Sequence, residues 1–251
     1  MPPVEPEPHD PATYAKSAAI YDAEYGFKDY AHEASLLHRL IQRHKRSPGT
    51  TLLDVACGTG GHLAFLQADY QAEGLDLDQA MLEVAQSRLP QIRFHHGDMT
   101  HFDLGRPFDV VTCLFSAIGY VRSEAAMSQA VANMARHLSP GGVLLVEPWF
   151  TPETFHPGSL HALFVDQPDL KIARMNLSHV EDSLSVLDFH FMVGTPDGIR
   201  TFTERHELGL LTHEQIRRAF EAAGLDTYHD RDGLTGRGLW IGVRADTARA
   251  A

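Results

Sequence analysis

The stretch Leu52-Leu53-Asp54-Val55-Ala56-Cys57-Gly58-Thr59-Gly60-Gly61-His62 decides the fold, because an apolar strand enters a glycine turn and a helical pattern follows at once. Glycine accepts positive φ and close backbone approach, so a nucleotide cofactor can lie against the strand end where a side chain would clash. About 20 residues later, the run Ala72-Glu73-Gly74-Leu75-Asp76-Leu77-Asp78 forms a second apolar strand ending in carboxylates, where a ribose diol needs acceptors. The loop does not continue as GxGxxG, since His62 and Leu63 stand in those positions, and it is not GxxxxGK[ST]. NAD and ATP are therefore disfavoured.

Outward from this loop the pattern alternates. Residues 51–57, 73–76, 93–96, 108–115 and 143–147 read as strands, and 61–68, 80–88 and 124–137 as helices. Crossovers of this kind imply an α/β fold with a doubly wound, mostly parallel seven-stranded sheet. From Thr151 the style changes: 171–178, 184–193 and 199–211 are alternating or β-branched and separated by turn signals, as expected of an inserted antiparallel β meander. Thr212 then opens a helix that Gly224 ends, and strands follow at 226–229 and 239–244. The organisation expected is a disordered proline-rich stretch 1–10, a helical lid 11–47, a cofactor-binding core 48–150, the insertion 151–211, the rest of the core 212–245 and a tail 246–251.

Composition narrows the function. A chain of 251 residues can bury one sizeable core, and a net charge of -12, from 33 acidic against 21 basic residues, disfavours binding to nucleic acid. Cys57 and Cys113 lie in apolar runs and read as reduced buried thiols of a cytoplasmic protein. Neither a secretory leader nor an apolar run long enough for a bilayer is visible, so no membrane partner is expected. The 16 histidines are scattered without HExxH or CxxC spacing, and no metal site is expected.

Asp-x-Ala-Cys-Gly-Thr-Gly at Asp54 to Gly60 resembles the first motif of the class I S-adenosylmethionine-dependent methyltransferases, and the resemblance spans 51 to about 148. It implies S-adenosylmethionine as cofactor. Ala56, Cys57, Gly58 and Gly60 would back its methionine portion, Asp76 would take the ribose hydroxyls with Asp78 the weaker candidate, and Asp98 with Met99 would flank the adenine. Leu77, Met81 and Phe115 would add further contacts. Each acid also has an ordinary reading: Asp54 as a turn cap, Asp76 as a solvated residue, Asp98 as a helix start.

A narrower resemblance rests on Tyr14, Ile20-Tyr21-Asp22, Lys28-Asp29-Tyr30-x-x-Glu33-Ala34-Ser35, Phe115-Ser116-Ala117-Ile118-Gly119-Tyr120, Val146-Glu147-Pro148-Trp149-Phe150-x-Pro152-Glu153-x-Phe155 and Gly236-Arg237-Gly238-Leu239. These look like the N,N-dimethyltransferases that act on nucleotide-linked 3-amino-3,6-dideoxysugars in desosamine and mycaminose assembly. The resemblance implies Tyr14 near the amino sugar, Tyr21 and Tyr30 near the cofactor, Trp149 and Phe150 in the sugar pocket with Arg174 and Ser178 from the meander, and Arg237 facing a diphosphate. Tyr120 stands near the transferring methyl, where some members carry histidine. Arg174-Met175-Asn176-Leu177-Ser178 replaces the Arg-x-Ser-His-Ser that such enzymes tend to carry, so one imidazole contact is missing and the sugar's identity stays open. His179 and His190 are the histidines left as candidate bases.

Physical chemistry weighs these roles. Gly-Arg-Gly is also an ordinary exposed turn, yet a protein this acidic needs a local cation to hold a diphosphate. Tyr21, Tyr25 and Tyr30 precede a leucine stripe, Leu36, Leu37, Leu40 and Ile41, that already supplies a packing face. Methyl transfer to an amine needs a neutral nitrogen aligned with the methyl carbon, so positioning and desolvation dominate, and the amine binds neutral or gives its proton to water, Tyr14 or another acceptor. Two other readings stand beside this one: an N- or O-methyltransferase of another small metabolite, and a non-catalytic S-adenosylmethionine-binding protein. Open strand edges in the meander are suited to pairing two chains as a homodimer.

Overall fold

The computed structural model describes residue 14 and residues 16–246; the expectations for residues 1–10 and for the tail beyond 246 lie outside the described residues. The main sheet is built from β1 (Thr51–Val55), β2 (Gln71–Asp76), β3 (Arg93–His96), β4 (Phe108–Cys113), β5 (Leu138–Val146), β10 (Leu225–Asp230) and β11 (Leu239–Arg244). Its order is β10-β11-β5-β4-β1-β2-β3, parallel except at β11, which runs antiparallel to both neighbours. Strand order reverses between β1 and β4, and ligands of such sheets bind at the carboxyl ends beside that reversal.

Both faces are buried, and the two-residue period of the strands divides the core. Leu53, Val55, Leu144 and Val146 pack on one face with Met134 of α5 (Glu124–Arg136) and Phe220 of α6 (His213–Ala222). Leu52, Val143 and Leu145 pack on the other with Leu37 and Ile41 of α2 (Tyr30–His44), Leu63 of α3 (Leu63–Leu66) and Leu82 of α4 (Gln79–Arg88). The cap residues follow chemistry legible in the chain: Asp29, Asp78 and Ser123 accept from first-turn amides of α2, α4 and α5, and Thr212 with Gln215 closes a capping box on α6.

A second sheet comprises β6 (Leu160–Gln167), β7 (Leu170–Glu181), β8 (Leu184–Thr195) and β9 (Gly198–Gly209), antiparallel in chain order. Its inner face carries Ile172, Phe191 and Val193, and Ile20 from the N-terminal segment packs onto them. The N-terminal segment, with α1 at Tyr21–Glu24, thus fills the space between the second sheet and the carboxyl edge of the main one.

Three expectations are corrected. The helix expected over 61–68 is the single turn α3, because β2 starts at Gln71 and the chain must reverse within a few residues of the glycine loop. β5 starts at Leu138 rather than 143: Phe108 pairs with Leu138, and a register shift before Val110 absorbs the Pro140-Gly141-Gly142 stretch. The meander has four strands. β6 escaped the sequence reading because it is an edge strand, exposed along most of its length, and its run Leu163-Phe164-Val165 is apolar on both faces, so no two-residue period shows.

Phe220→Ala, which empties a fully buried site, should lower unfolding free energy by about 3–5 kcal/mol, whereas Thr212→Ala should cost about 1 kcal/mol through loss of the cap. Urea unfolding of both variants checks this, and equal costs would contradict the assignment of Phe220 to the core.

Candidate active site

The glycine loop is held from below by a single carboxylate. Oδ2 of Asp76 accepts from Gly58 N at 2.7 Å and Oδ1 from Asp78 N at 2.8 Å. Burial pushes this carboxyl up to about 6, against the pull of the two amide donors. Each oxygen retains a second lone pair, so the group can still accept from a ligand hydroxyl. Asp78 is occupied differently: its Oδ1 caps α4 through Ala80 and Met81, and its Oδ2 accepts from Tyr14 N at 3.2 Å. Asp54 is neither exposed nor a turn cap. It accepts from Thr112 Oγ1 at 2.7 Å across the β1–β4 pair, and burial pushes it up to about 6. Gly60 has φ +77°, and a Cβ there would come within 2.9 Å of Leu89, so the turn needs glycine twice over.

Above this loop lies a cavity of about 460 Å³. Of the residues singled out from the sequence, Ala56, Cys57, Gly58, Asp76, Leu77, Met81, Asp98, Met99, Phe115, Tyr14, Tyr21, Tyr30 and Tyr120 line it, while Gly60 is outside the lining and faces Leu89. Tyr14 and Tyr21 meet edge to face at 5.4 Å, and Tyr21 and Tyr25 lie 4.6 Å apart, which builds an aromatic roof over the strand ends. Leu77 is 45% exposed, an apolar surface open to a flat ring. Asp98 does not start a regular helix; it accepts from Thr100 N and Oγ1 in a local turn at the cavity rim. A size suited to a nucleoside, a carboxylate with free lone pairs and apolar surface beside it fit S-adenosylmethionine.

The wall after β4 is strained. Phe115 and Ser116 have φ of +50° and +62°, each costing about 1–3 kcal/mol. Buried Glu147 holds the first through Phe115 N at 2.7 Å, and Ser116 Oγ donates to the Pro148 carbonyl at 2.7 Å. The other oxygen of Glu147 accepts from Thr235 Oγ1 at 2.6 Å, so one carboxylate ties this loop to the loop carrying Arg237.

Trp149, Phe150 and Arg237 lie outside the cavity lining and gather beside it. The Arg237 guanidinium is 5.4 Å from the Trp149 ring, 5.3 Å from Phe150 and 6.0 Å from Phe115, and it donates to Ser116 Oγ at 2.9 Å. Among the described residues it forms no ion pair. Phe115 belongs both to the cavity and to this cluster, joining the two.

Arg174 and Ser178 are placed elsewhere. Arg174 pairs with Glu24 at 3.3 Å and Tyr25 Oη at 3.2 Å, tying the N-terminal segment to β7, and burial pushes Glu24 up to about 7 despite that arginine. Ser178 is buried within the second sheet. His179 faces solvent beside Glu181 at 2.8 Å, and His190 is exposed on β8, so neither histidine singled out as a base reaches the cavity. His62 and His101 line the cavity, and His206 on β9 stands behind its wall, with Nδ1 2.7 Å from Tyr120 Oη. Sequence reasoning missed it because only the docking of the second sheet brings β9 to the main sheet's loops. Its position on an inward register of an alternating strand was the available signal. Among the described residues no group of three or more His, Cys, Asp or Glu is arranged to hold a metal, and no helix is long and apolar enough to cross a membrane.

Comparison with known proteins follows the same line. A family profile described as a methyltransferase domain matches residues 52–142. The chain is 43% identical over 230 residues, 90% of each chain, to a dTDP-3-amino-3,6-dideoxy-alpha-D-glucopyranose N,N-dimethyltransferase of Streptomyces fradiae. It superposes on the crystal structure of Streptomyces venezuelae DesVI with a TM-score of 0.86 at 40% identity, covering 91% of this chain and 98% of that one. CalS10 of Micromonospora echinaspora, an amino pentose methyltransferase solved with S-adenosylmethionine, gives 0.80 at 39% identity, with 90% and 95% covered. The chain belongs to the class I S-adenosylmethionine-dependent methyltransferases, in the family of the dTDP-amino-sugar N,N-dimethyltransferases.

Proposed function

We propose that the protein transfers methyl groups from S-adenosylmethionine to the amino group of a dTDP-linked aminodeoxysugar, adding two in succession. The observation that carries the acceptor class is Arg237: a guanidinium without an ion pair among the described residues, ringed by Trp149, Phe150 and Phe115 and joined to the cavity through Phe115. Such a fork binds a diphosphate, and the aromatic faces beside it suit a base and a deoxysugar ring. S-adenosylmethionine supplies an activated methyl on a sulfonium with a neutral sulfide as leaving group. Asp76 would accept from its ribose hydroxyls, Leu77 and Met99 would cover its adenine, with Asp98 at the rim, and the loop from Ala56 through Gly58 would back its methionine portion. Tyr14, Tyr21 and Tyr30 act as a lid that excludes water, and their faces stabilise cationic groups beneath them. Tyr14 and Tyr120 would stand at the amine.

The same reading places Arg174 as a latch that reaches the substrate only through the N-terminal segment, and Ser178 as part of the sheet that carries it. Two buried free thiols, Cys57 and Cys113, suit a reducing cytoplasm. A second chain would cover the outer face of the second sheet, where Leu160, Phe164, Met175, Leu177 and Met192 are exposed and Leu160 registers against Leu177.

Incubation with S-adenosylmethionine and a panel of dTDP-linked aminodeoxysugars should give products gaining one and then two methyl groups by mass spectrometry. Turnover confined to acceptors without a nucleotide would overturn the acceptor class. Arg237→Ala should raise KM for the sugar nucleotide roughly 10- to 100-fold, the equivalent of about 1.5–3 kcal/mol of charged hydrogen bonding, with the Kd of S-adenosylmethionine unchanged. Donor hydroxyls bind the ionised form of Asp76, whose carboxyl titrates near 6. Calorimetry should therefore find donor affinity flat above pH 7 and falling by up to about tenfold per pH unit below 6, a dependence that Asp76→Asn removes. Light scattering should report a dimer that Phe164→Lys dissociates.

A further inference from the structure

Resting on the amine-methylating reading above, one set of contacts bears on where the amine's proton goes. Tyr14 Oη and Tyr120 Oη are 2.8 Å apart, and Tyr120 Oη is 2.7 Å from Nδ1 of His206. The two phenols line the cavity; His206 is 2% exposed behind them, edge to face with Tyr14 at 4.9 Å and with Phe189 at 4.7 Å. In the orientation that satisfies both contacts, Tyr14 donates to Tyr120 and Tyr120 to Nδ1, leaving the imidazole hydrogen on Nε2 and an oxygen lone pair on Tyr14 to accept. On the far side of the ring, Nε2 is 3.7 Å from Oε2 of Glu204, a buried carboxylate oxygen that makes no hydrogen bond. A buried acceptor left without a donor is costly, and a cationic imidazole beside it would relieve that cost.

We propose that His206 is the terminal acceptor of the proton shed by the substrate amine, reached through Tyr14 and Tyr120, with Glu204 stabilising the imidazolium. The substrate ammonium gives a proton to Tyr14 Oη, the Tyr14 hydroxyl proton passes to Tyr120 Oη, and the Tyr120 proton passes to Nδ1. One N–H and two O–H bonds break, while two O–H bonds and one N–H bond form. The amine is left neutral with its lone pair, both phenols end as they began, and the positive charge moves to the ring. When product leaves, the proton returns along the same path to water, and the path is then ready for the ammonium of the singly methylated sugar.

Burial holds the hydroxyls of Tyr14 and Tyr120 well above the usual tyrosine range, so they pass the proton rather than keep it, whereas an imidazole ordinarily titrates near neutrality. Among the described residues, the groups facing this ring include Tyr14 from the N-terminal segment, Tyr120 from the turn after β4 and Glu204 from its own strand. Beyond Phe189 on β8 stands Arg174 of β7 with its partner Glu24, and Lys16 bonds the Thr203 carbonyl at 3.4 Å. His206 acts through Tyr120 and is a positioning residue, so its signature is a pH profile rather than a simple loss of rate.

The test measures kcat/KM against pH for the full chain with dTDP-3-amino-3,6-dideoxyglucose, in wild type, His206→Gln and Tyr120→Phe. Calorimetric binding of S-adenosylmethionine serves as the folding control. At pH 7 His206→Gln should be slower by about 10²-fold, and the deficit should shrink by about tenfold per pH unit as the free amine becomes abundant in solution. Tyr120→Phe should show the same profile, and the double variant should be no slower than either single one. If His206→Gln does not fold, the Tyr120→Phe profile decides. A deficit independent of pH, or none, overturns the relay while the methyltransferase reading stands. Failure of wild type to methylate any sugar nucleotide overturns that reading and the relay together.

Discussion

A buried carboxylate at the end of β2 is the constraint on which the site depends. Asp76 accepts from Gly58 N in the glycine loop and from Asp78 N at the start of α4, so one side chain sets the spacing between the two chain segments that frame the cavity. Taking a carboxylate out of water costs several kcal/mol, and two charge-assisted hydrogen bonds to backbone amides offset part of that cost. The residue beside it in sequence, Asp78, caps α4 and holds Tyr14 N. The roof is thereby referenced to the same strand end as the floor.

Strain and its compensation shape the opposite wall. Two consecutive left-handed residues without glycine, Phe115 and Ser116, turn the chain after β4 so that one aromatic ring belongs to both halves of the site. Glu147, fully buried at the end of β5, accepts from Phe115 N and Thr235 Oγ1 and so compensates for that strain while fixing the loop that bears Arg237. The cavity and the aromatic cluster around Arg237 are therefore not independent: they share a loop held by one acid.

The second sheet and the N-terminal segment complete the enclosure. Ile20 packs on the sheet's inner face while Tyr14 and Tyr21 line the cavity, which makes the segment a wedge with one side anchored and the other open to it. At its far end Lys28 and Glu33 form a nearly buried pair that His62 joins at 2.8 Å, holding Tyr30 against Gly61 where a Cβ would strike its ring. Gly119 plays the matching part at the turn after β4: a Cβ there would come within 3.0 Å of both Trp149 and Leu208, so its absence lets β9 close on Tyr120.

Local chemistry made much of this legible from the chain. The glycine loop, the acid ending β2 and the alternation of apolar runs determined the parallel sheet, because each is a short-range pattern with a fixed period or spacing. Edge strand β6 was illegible because an exposed edge carries no such period. Arg174 and His206 show the remaining limit. The sequence by itself determined that a glycine loop and the acid ending the second strand meet at the strand ends of an α/β sheet. Only the tertiary structure decided that Arg174 closes on Glu24 and that His206 stands behind Tyr120, since those partners lie about 85 to 150 residues apart and meet through sheet docking, which no local pattern encodes.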